Sequence, residues 1–229
     1  AFSGPQTEGR WAQDGKLENL WDTWSIENID DFYNKVGSYV GNDFMTMYEG
    51  DLKLYKETLG LDSVRTSIQW SRFLDENGEI NPAGAEWYHR LFAAAKAAGI
   101  EMFVNLYHFD MPTYLFRRGG WENREVVDAY ENYVRKAFAE FGQEVRCWFT
   151  FNEPTVEPEQ RYQEGNWWPF IKNFNRARTV QYNISIAHAK GVQAFREAQS
   201  AGLMLPDACI GLINAFMPPY TKENPSEAD

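Results

Sequence analysis

The sequence predicts an α/β fold in which helices cover a parallel β-sheet, and three observations support this. Apolar, strand-like runs alternate strictly with segments of helical periodicity along the chain. The strand-like runs are apolar enough to be buried on both faces, and the joints between elements are short. Polar or aromatic residues follow each predicted strand, which is typical of a barrel rim where catalytic groups come from several strand ends.

The predicted elements in the first part of the chain alternate less regularly than those in the rest. Its predicted elements are the end of a strand at residues 1–4, a long packed loop at 10–42, a helix at 47–59 and a strand at 63–68. The helix is predicted because Tyr48, Leu52 and Tyr55 recur at helical spacing. Gly60 is the expected stop.

The later elements follow one another more evenly. Asn81 is a predicted helix cap, with Pro82 at the first helical position and Gly99 as the stop. The next elements are a strand at 102–106, a helix at 124–141, a strand at 147–151, a loop at 160–169, a helix at 175–200 and a strand at 209–214. Pro218 and Pro219 are expected to end regular structure.

These elements make four strand–helix units and a fifth strand. We therefore predict the N-terminal portion of a (β/α)8 barrel, from about strand 1 to strand 5 of 8. A five-stranded doubly wound sheet has the same order of elements. However, no glycine-rich G-x-G-x-x-G turn follows the first predicted strand, as a dinucleotide-binding sheet would require.

The composition is that of an acidic, folded protein. A chain of 229 residues with 44% hydrophobic content can form a sizeable core, and we expect a single domain over residues 1–229. The net charge of −11 argues against nucleic acid or an anionic membrane surface as a partner. Aromatic residues make up 16% of the chain, which suits either sugar-stacking surfaces or a large core.

The expected location is the cytoplasm. No apolar stretch approaches the length of a membrane span, and the N-terminus does not resemble a signal peptide. Cys147 and Cys209 each begin an apolar run, so we expect two buried free thiols in a reducing compartment. Nothing in the sequence calls for a metal, nucleotide or flavin cofactor.

The stretch from Trp148 to Pro154 is the strongest candidate for chemistry. An apolar run ends at Asn152 and Glu153, and Pro154 closes it, so the carboxyl of Glu153 is expected at the C-terminal end of a strand. Aromatic neighbours there would disfavour the charged form and suit Glu153 to general-acid work. The alternative is a solvated glutamate or one paired with an arginine.

Four motifs in order and spacing resemble those of the family-1 glycoside hydrolases. They are Gln6-Thr7-Glu8-Gly9, Ser67-Ile68-Gln69-Trp70-Ser71-Arg72, Tyr107-His108-Phe109-Asp110-Met111-Pro112 and Thr150-Phe151-Asn152-Glu153-Pro154. The resemblance extends over essentially the whole chain. The form of residues 3–9 and the phenylalanine at 109 are most similar to bacterial 6-phospho-β-glucosidases.

The resemblance implies a role for several residues. Glu153 corresponds to the general acid/base, and Asn152 to the residue that binds the sugar 2-hydroxyl. Gln6 and His108 correspond to residues that hold other hydroxyls of the cleaved sugar. Arg65 corresponds to the arginine that lies beside the catalytic nucleophile and keeps it ionised.

Other residues near these motifs have two interpretations. Trp70 and Trp121 could line the cleft, but packing is the favoured interpretation for each. Glu157 and Glu159 are predicted to be exposed loop charges or contacts to the leaving group. His188 is predicted to be structural.

One expected feature of the family is missing from these residues. The nucleophile is a second glutamate in an I/V-T-E-N-G-like motif on a later strand, and the chain contains no such motif. Retaining hydrolysis needs two carboxyls roughly 5 Å apart. We therefore expect this chain to supply the acid/base half of the site for a β-glucoside or 6-phospho-β-glucoside, with a C-terminal half or a second chain completing the barrel.

The alternative hypothesis is a half-barrel that binds sugar or assembles with another chain without turnover. The residues expected to read a 6-phosphate belong to the other half of the family's barrel, so the phosphate preference rests on the resemblance alone.

Overall fold

Four parallel strands form one sheet in the computed structural model, which describes residues 1–9 and 13–216. The strands are β1 (Ser63–Ser67), β2 (Glu101–Asn105), β3 (Cys147–Asn152) and β4 (Cys209–Ile213), and they lie in the order β1-β2-β3-β4. Arg65, Phe103, Cys147 and Cys209 occupy one register row across the sheet. The predicted parallel sheet is therefore confirmed, and the carboxyl ends of its strands lie at one edge.

Eight α-helices accompany these strands within the described ranges. They are α1 (Gly4–Thr7), α2 (Leu20–Glu27), α3 (Phe44–Lys53), α4 (Trp70–Phe73), α5 (Pro82–Ala97), α6 (Thr113–Arg117), α7 (Arg124–Phe141) and α8 (Phe174–Ser200). Short 3₁₀ turns lie at Ile29–Asp31, Tyr33–Lys35 and Gly120–Glu122, and π-helical turns at Leu54–Thr58 and Pro158–Gln163. The long helices α5, α7 and α8 separate consecutive strands, which is the crossover arrangement that a parallel sheet needs.

The apolar stripes predicted from sequence place α5 and α7 against the core. On α7, Val127, Tyr130 and Val134 are fully buried. On α5, Pro82 occupies the first turn as predicted, and Trp87 and Leu91 are buried. Burial of such stripes, more than intrinsic propensity, stabilises helices of this length.

The predicted cap of α5 has a different function from the one expected. Asn81 stands at the N-cap, but its side chain makes no capping hydrogen bond. Its Nδ2 instead donates to the carbonyl oxygens of Asp14 at 2.7 Å and Arg72 at 3.0 Å. Asn81 therefore ties the start of α5 to the loop at Asp14 and to helix α4.

The prediction of a strand at residues 1–4 is wrong. Gly4–Thr7 is a single helical turn, and Phe2 N donates to the carbonyl oxygen of Arg65 at 2.9 Å. This bond and one from Gly4 N to Ser67 Oγ at 2.8 Å place the segment beside β1 without forming a ladder. The described residues thus contain four strands of the sheet, not five.

The prediction of an irregular loop over residues 10–42 is also wrong in part. Helix α2 lies inside it, and it begins with a capping box in which Asn19 and Asp22 each bind the other's backbone N–H. That pair satisfies two of the unpaired N–H groups of the first turn. The spacing of Asn19 and Asp22 was the available indication in the sequence.

Other boundaries differ by smaller amounts. Helix α3 begins at Phe44, and the end of the predicted helix is a π-helical turn before Gly60, whose φ is +65°. Helix α8 begins one residue earlier than predicted. The predicted Pro218–Pro219 stop, and Trp11 within the predicted loop, lie outside the described residues.

The two cysteines are free thiols, but only one is buried. Cys147 is buried on β3, whereas Cys209 is exposed on β4, so the prediction of two buried thiols is wrong for Cys209. Their Sγ atoms lie 3.7 Å apart because the two residues are paired in register.

Among the described residues, no helix is long and apolar enough to cross a membrane. Those same residues form no cluster of three or more metal-ligating side chains suited to a metal ion.

Candidate active site

The backbone at the end of β3 holds Asn152 and Glu153 between the exits of two neighbouring strands. Asn152 N donates to the carbonyl oxygen of Tyr107 at 2.9 Å, and Glu153 N donates to that of Ile213 at 2.7 Å. Glu153 has a φ of +46°, which is uncommon for a residue with a side chain. Such a conformation costs on the order of 1–3 kcal/mol and persists only where the surroundings hold it. Glu153 is half-buried at this edge.

Arg65 interacts with three of the predicted site residues: it binds Asn152, and its charge acts on Glu153 and His108. Its Nη1 donates to Asn152 Oδ1 at 2.9 Å. Burial lowers the pKa of the half-buried guanidinium, and the charge of Glu153 acts in the opposite direction. The arginine remains charged, because a guanidinium does not lose its proton in proteins. A fixed positive charge therefore lies among Asn152, Glu153 and His108.

His108 is a neutral side chain in this environment. Burial, and secondly the charge of Arg65, lower the pKa of His108 to about 3. A neutral imidazole donates through one ring nitrogen and accepts through the other, which suits it to binding hydroxyls. Asn105 Nδ2 lies 3.4 Å from His108 Nδ1.

Asp110 fixes the backbone on which His108 stands. Its Oδ1 accepts from His108 N at 2.9 Å, and its Oδ2 accepts from Trp70 N at 3.2 Å. Full burial raises the pKa of Asp110 to about 7. Phe109, between His108 and Asp110, has a φ of +63°, so the exit of β2 is also held in an uncommon conformation.

Gln6 and His108 meet in one small cavity. It has a volume of about 210 Å³ and is lined by Pro5, Gln6, Trp21, Ser38, His108 and Phe109. Gln6 is exposed, and its Oε1 accepts from Ser3 Oγ at 2.7 Å. An amide and an imidazole between two aromatic walls form a pocket for a small polar ligand.

The turn that carries Gln6 is anchored by a residue to which the sequence analysis assigned no role. Glu8 is fully buried and accepts from Arg72 Nε at 2.8 Å and from the Tyr88 hydroxyl at 2.8 Å. Breaking a buried pair of this kind leaves an uncompensated charge, which is strongly destabilising. Glu8 thus fixes the position of Gln6 relative to the exit of β1.

Trp70 and Trp121 do not face the cavity. Trp70 is 1% exposed and stacks on Tyr133, and Trp121 is 0% exposed and packs edge-on against Tyr107. Both are core residues, which confirms packing, the interpretation that the sequence favoured for each, over a place in the cleft. The half-buried Trp21, which does line the cavity, was overlooked because it lies in the segment interpreted as a loop.

The interpretation of Glu157 as an exposed loop charge or a leaving-group contact is wrong. Its side chain is 1% exposed and accepts from Arg161 Nε at 3.1 Å and from the Tyr107 hydroxyl at 2.7 Å. Opposite charges four residues apart were the indication available in the sequence. Glu159 is exposed, and His188 Nδ1 lies 2.7 Å from Thr150 Oγ1 on β3.

The sequence matches one family of known proteins along its whole length. The family model described as Glycosyl hydrolase family 1 matches residues 1–229. The 6-phospho-beta-glucosidase GmuD of Bacillus subtilis is 41% identical over 223 residues, which are 97% of this chain and 46% of that protein. A 6-phospho-beta-galactosidase of Staphylococcus aureus is 36% identical over 231 residues, covering 99% of this chain and 46% of that protein. The chain spans about half the length of the curated relatives it matches.

Solved structures agree with the family match. A beta-glucosidase from Thermotoga maritima in complex with glucoimidazole matches with a TM-score of 0.86 and 31% identity, over 96% of this chain and 49% of that chain. The AHE enzyme from Alicyclobacillus herbarius matches with a TM-score of 0.84 and 31% identity, over 92% of this chain and 46% of that chain. These matches confirm the predicted fold class, the N-terminal portion of an α/β barrel.

Proposed function

The chain belongs to glycosyl hydrolase family 1, and from this premise we propose that it supplies the acid/base half of a retaining β-glycosidase site. The observation that supports this most directly is the hydrogen bond from Arg65 to Asn152, with the charge of Glu153 acting on the same guanidinium. A carboxyl, an amide and a fixed cation then face the same edge of the sheet, where barrel enzymes carry out chemistry.

Glu153 is the proposed proton donor and acceptor. In the first step it gives its proton to the leaving oxygen, while a nucleophilic carboxylate forms a bond to the sugar. In the second step it takes a proton from the water that hydrolyses this intermediate. The half-buried carboxyl stands at the edge of the sheet where barrel enzymes carry out chemistry.

Asn152, His108 and Gln6 are the proposed sugar-binding residues. Asn152 Oδ1 already accepts from Arg65, and within the described residues its Nδ2 makes no hydrogen bond, so it remains a donor for a sugar hydroxyl. His108 and Gln6 supply an imidazole and an amide to the same cavity. Hydroxyls bound by such groups discriminate strongly against ligands that lack them.

The proposed substrates are 6-phospho-β-glucosides, and the proposed location is the cytoplasm. The names of the Bacillus subtilis and Staphylococcus aureus relatives both refer to 6-phospho sugars. Two free cysteines are consistent with a reducing compartment. The second carboxyl, which retention requires about 5 Å from the first, is proposed to come from polypeptide beyond these residues.

A sugar-binding half-barrel without turnover is the second candidate. Among the described residues, Glu153 is the one carboxylate that influences the pKa of Arg65. A site with only that carboxylate could bind a glycoside without forming a glycosyl-enzyme intermediate.

The test is an assay of the native protein that carries this chain, with its intact mass measured on the same preparation. We expect hydrolysis of aryl 6-phospho-β-glucosides. Glu153→Gln should lower turnover of a substrate with a poor leaving group by about 10²–10⁴-fold. It should spare the first step for a dinitrophenyl glycoside, whose leaving group needs no proton.

The matched control is Glu57→Gln, because Glu57 is exposed in the turn before β1, at the opposite end of the strands from Glu153. It should leave both substrates unaffected. Equal loss on the two substrates in Glu153→Gln would contradict the acid role. Sugar binding without hydrolysis in the unchanged protein would favour the second candidate.

A further inference from the structure

A buried ion pair lies immediately beyond the proposed acid/base residue. Glu157 and Arg161 follow Glu153 by four and eight residues, and each is 1% exposed. Arg161 Nε donates to Glu157 Oε1 at 3.1 Å. Burying two charges is costly, and such a pair is retained without loss of stability only when further hydrogen bonds satisfy it. The remaining contacts of the pair show what it connects.

On one side, Tyr107 joins the ion pair to the backbone of the site. Its hydroxyl donates to Glu157 Oε2 at 2.7 Å, and its carbonyl oxygen accepts from Asn152 N at 2.9 Å. Trp121 Nε1 donates to the same hydroxyl at 3.2 Å. Burial, followed by the charge of Glu157, raises the pKa of Tyr107 well above its ordinary value, so the hydroxyl keeps its proton as a donor.

On the other side, Arg161 joins the pair to the aromatic wall of the cavity. Its guanidinium donates to the carbonyl oxygen of Trp168 and lies 5.8 Å from the ring centroid of Trp167. The Trp167 ring packs edge-on against Phe109 and Trp21, each at 5.1 Å between centroids. Phe109 and Trp21 are the two aromatic walls of the cavity that contains Gln6 and His108.

The segment between the proposed acid and the ion pair is a short turn, held at its start by the bond from Glu153 N to the carbonyl oxygen of Ile213. Glu153 stands at φ +46°, and Val156 N donates back to the Glu153 carbonyl oxygen at 2.9 Å. A strained turn of this kind needs neighbours that over-determine its conformation. The Tyr107–Glu157–Arg161 network provides such neighbours within four residues of the carboxyl.

We propose that Glu157 and Arg161 are positioning residues that fix the Glu153 carboxyl relative to the aromatic wall of the sugar cavity. This inference rests on the proposed function, because it concerns the efficiency of proton donation by Glu153. The network makes the geometry of the proton donor depend on the packing of Trp167, and so on occupation of the cavity beside it.

The experiment compares two substrates in the native protein that carries this chain. The main variant is Glu157→Gln combined with Arg161→Met, which removes both charges together and avoids a single buried charge. Tyr107→Phe is a second, milder variant that removes one hydroxyl and keeps the ring. We expect kcat/KM for a phenyl 6-phospho-β-glucoside to fall at least about tenfold more than for the dinitrophenyl glycoside. The limb of the pH–rate profile that reports the general acid should also move.

The matched control is the pair Glu86 and Arg90, which has the same spacing and a 2.7 Å contact on the exposed face of α5. Glu86→Gln combined with Arg90→Met should leave kcat/KM unchanged for both substrates. Thermal unfolding of every variant separates loss of folded protein from loss of positioning, because loss of folded protein lowers the apparent kcat/KM equally for both substrates.

The outcomes separate this inference from the proposed function. If Glu153→Gln distinguishes the two substrates but the network variants lower both equally, the positioning role is wrong and the acid role stands. If the unchanged protein hydrolyses neither substrate, the proposed function fails and the positioning role fails with it. An unshifted pH profile with equal losses in the folded Tyr107→Phe variant would also overturn the inference.

Discussion

Gly84 shows, at the level of one residue, how closely helix α5 approaches the short helix α4 that follows β1. A methyl group on Gly84 would approach the carbonyl oxygen of Arg72 to 2.2 Å. That oxygen belongs to the backbone, so α5 or the exit of β1 would have to shift. We therefore expect Gly84→Ala to destabilise the fold by about 1–3 kcal/mol, as overpacking does, measured by urea unfolding.

Gly50 provides the matched control for this prediction. It lies in α3, is exposed, and a methyl group there would meet nothing within 4 Å. Gly50→Ala should stabilise the protein by roughly 0.5–1 kcal/mol, because alanine loses less conformational freedom in a helix than glycine does. Equal effects of the two substitutions would mean that the contact between Gly84 and Arg72 is not close.

Single residues also show where sequence reasoning reaches its limit. The motifs pointed to Arg65, Asn152 and Glu153, which the structure brings together across the intervening strand β2: Arg65 donates to Asn152, and the charge of Glu153 acts on the same guanidinium. The burial of Glu157 was missed, because it depends on a hydroxyl at position 107, fifty residues earlier in the chain. Local charge spacing cannot show which side of a segment will be covered.

At the level of elements, His89 forms a pH-dependent link between α5 and the end of α7. Its Nε2 lies 2.9 Å from Glu140, and its Nδ1 contacts Glu144. Burial of the ring lowers the pKa of His89, but the hydrogen bonds and charges of the two glutamates outweigh this and raise it. The folded state therefore binds the proton more tightly than the unfolded chain does.

The stabilisation that His89 gives the folded protein is therefore expected to depend on pH. Stabilisation by His89 should be fully present below its unfolded pKa of about 6.5, and should be lost as pH rises through the raised folded value. The difference in urea midpoint between the unchanged protein and His89→Gln should be largest in mildly acidic buffer. Glu140→Gln should reduce that difference, whereas a difference independent of pH would contradict the link.

The elements differ in how well the sequence predicts them, and the reason is physical. Helices α5 and α7 and strands β2 and β3 are buried against one core, so their apolar periodicity is strong and their predicted bounds are close to those observed. Helix α2 begins with a hydrogen-bonded cap and has no clear apolar stripe, so periodicity alone does not reveal it.

At the level of the whole molecule, the sheet should not be equally stable across its width. Strands β2 and β3 each have two neighbours, whereas within the described residues β4 pairs only with β3 and is partly exposed. In a preparation of the 229 residues alone, we expect amide hydrogens of β2 and β3 to exchange most slowly and those of β4 faster. Exchange in β4 as slow as in β3 would contradict an open edge.

The two consecutive backbone donors at the end of β3 point to opposite neighbours, Asn152 to Tyr107 and Glu153 to Ile213. The main chain from which the amide and the carboxyl project is therefore held by three adjacent strands, and the twist of those strands sets the directions in which the two side chains leave the sheet. Any force that changes the twist of the sheet also changes the separation of these two groups. The same sheet that makes the protein rigid therefore also determines how Asn152 and Glu153 are placed relative to each other.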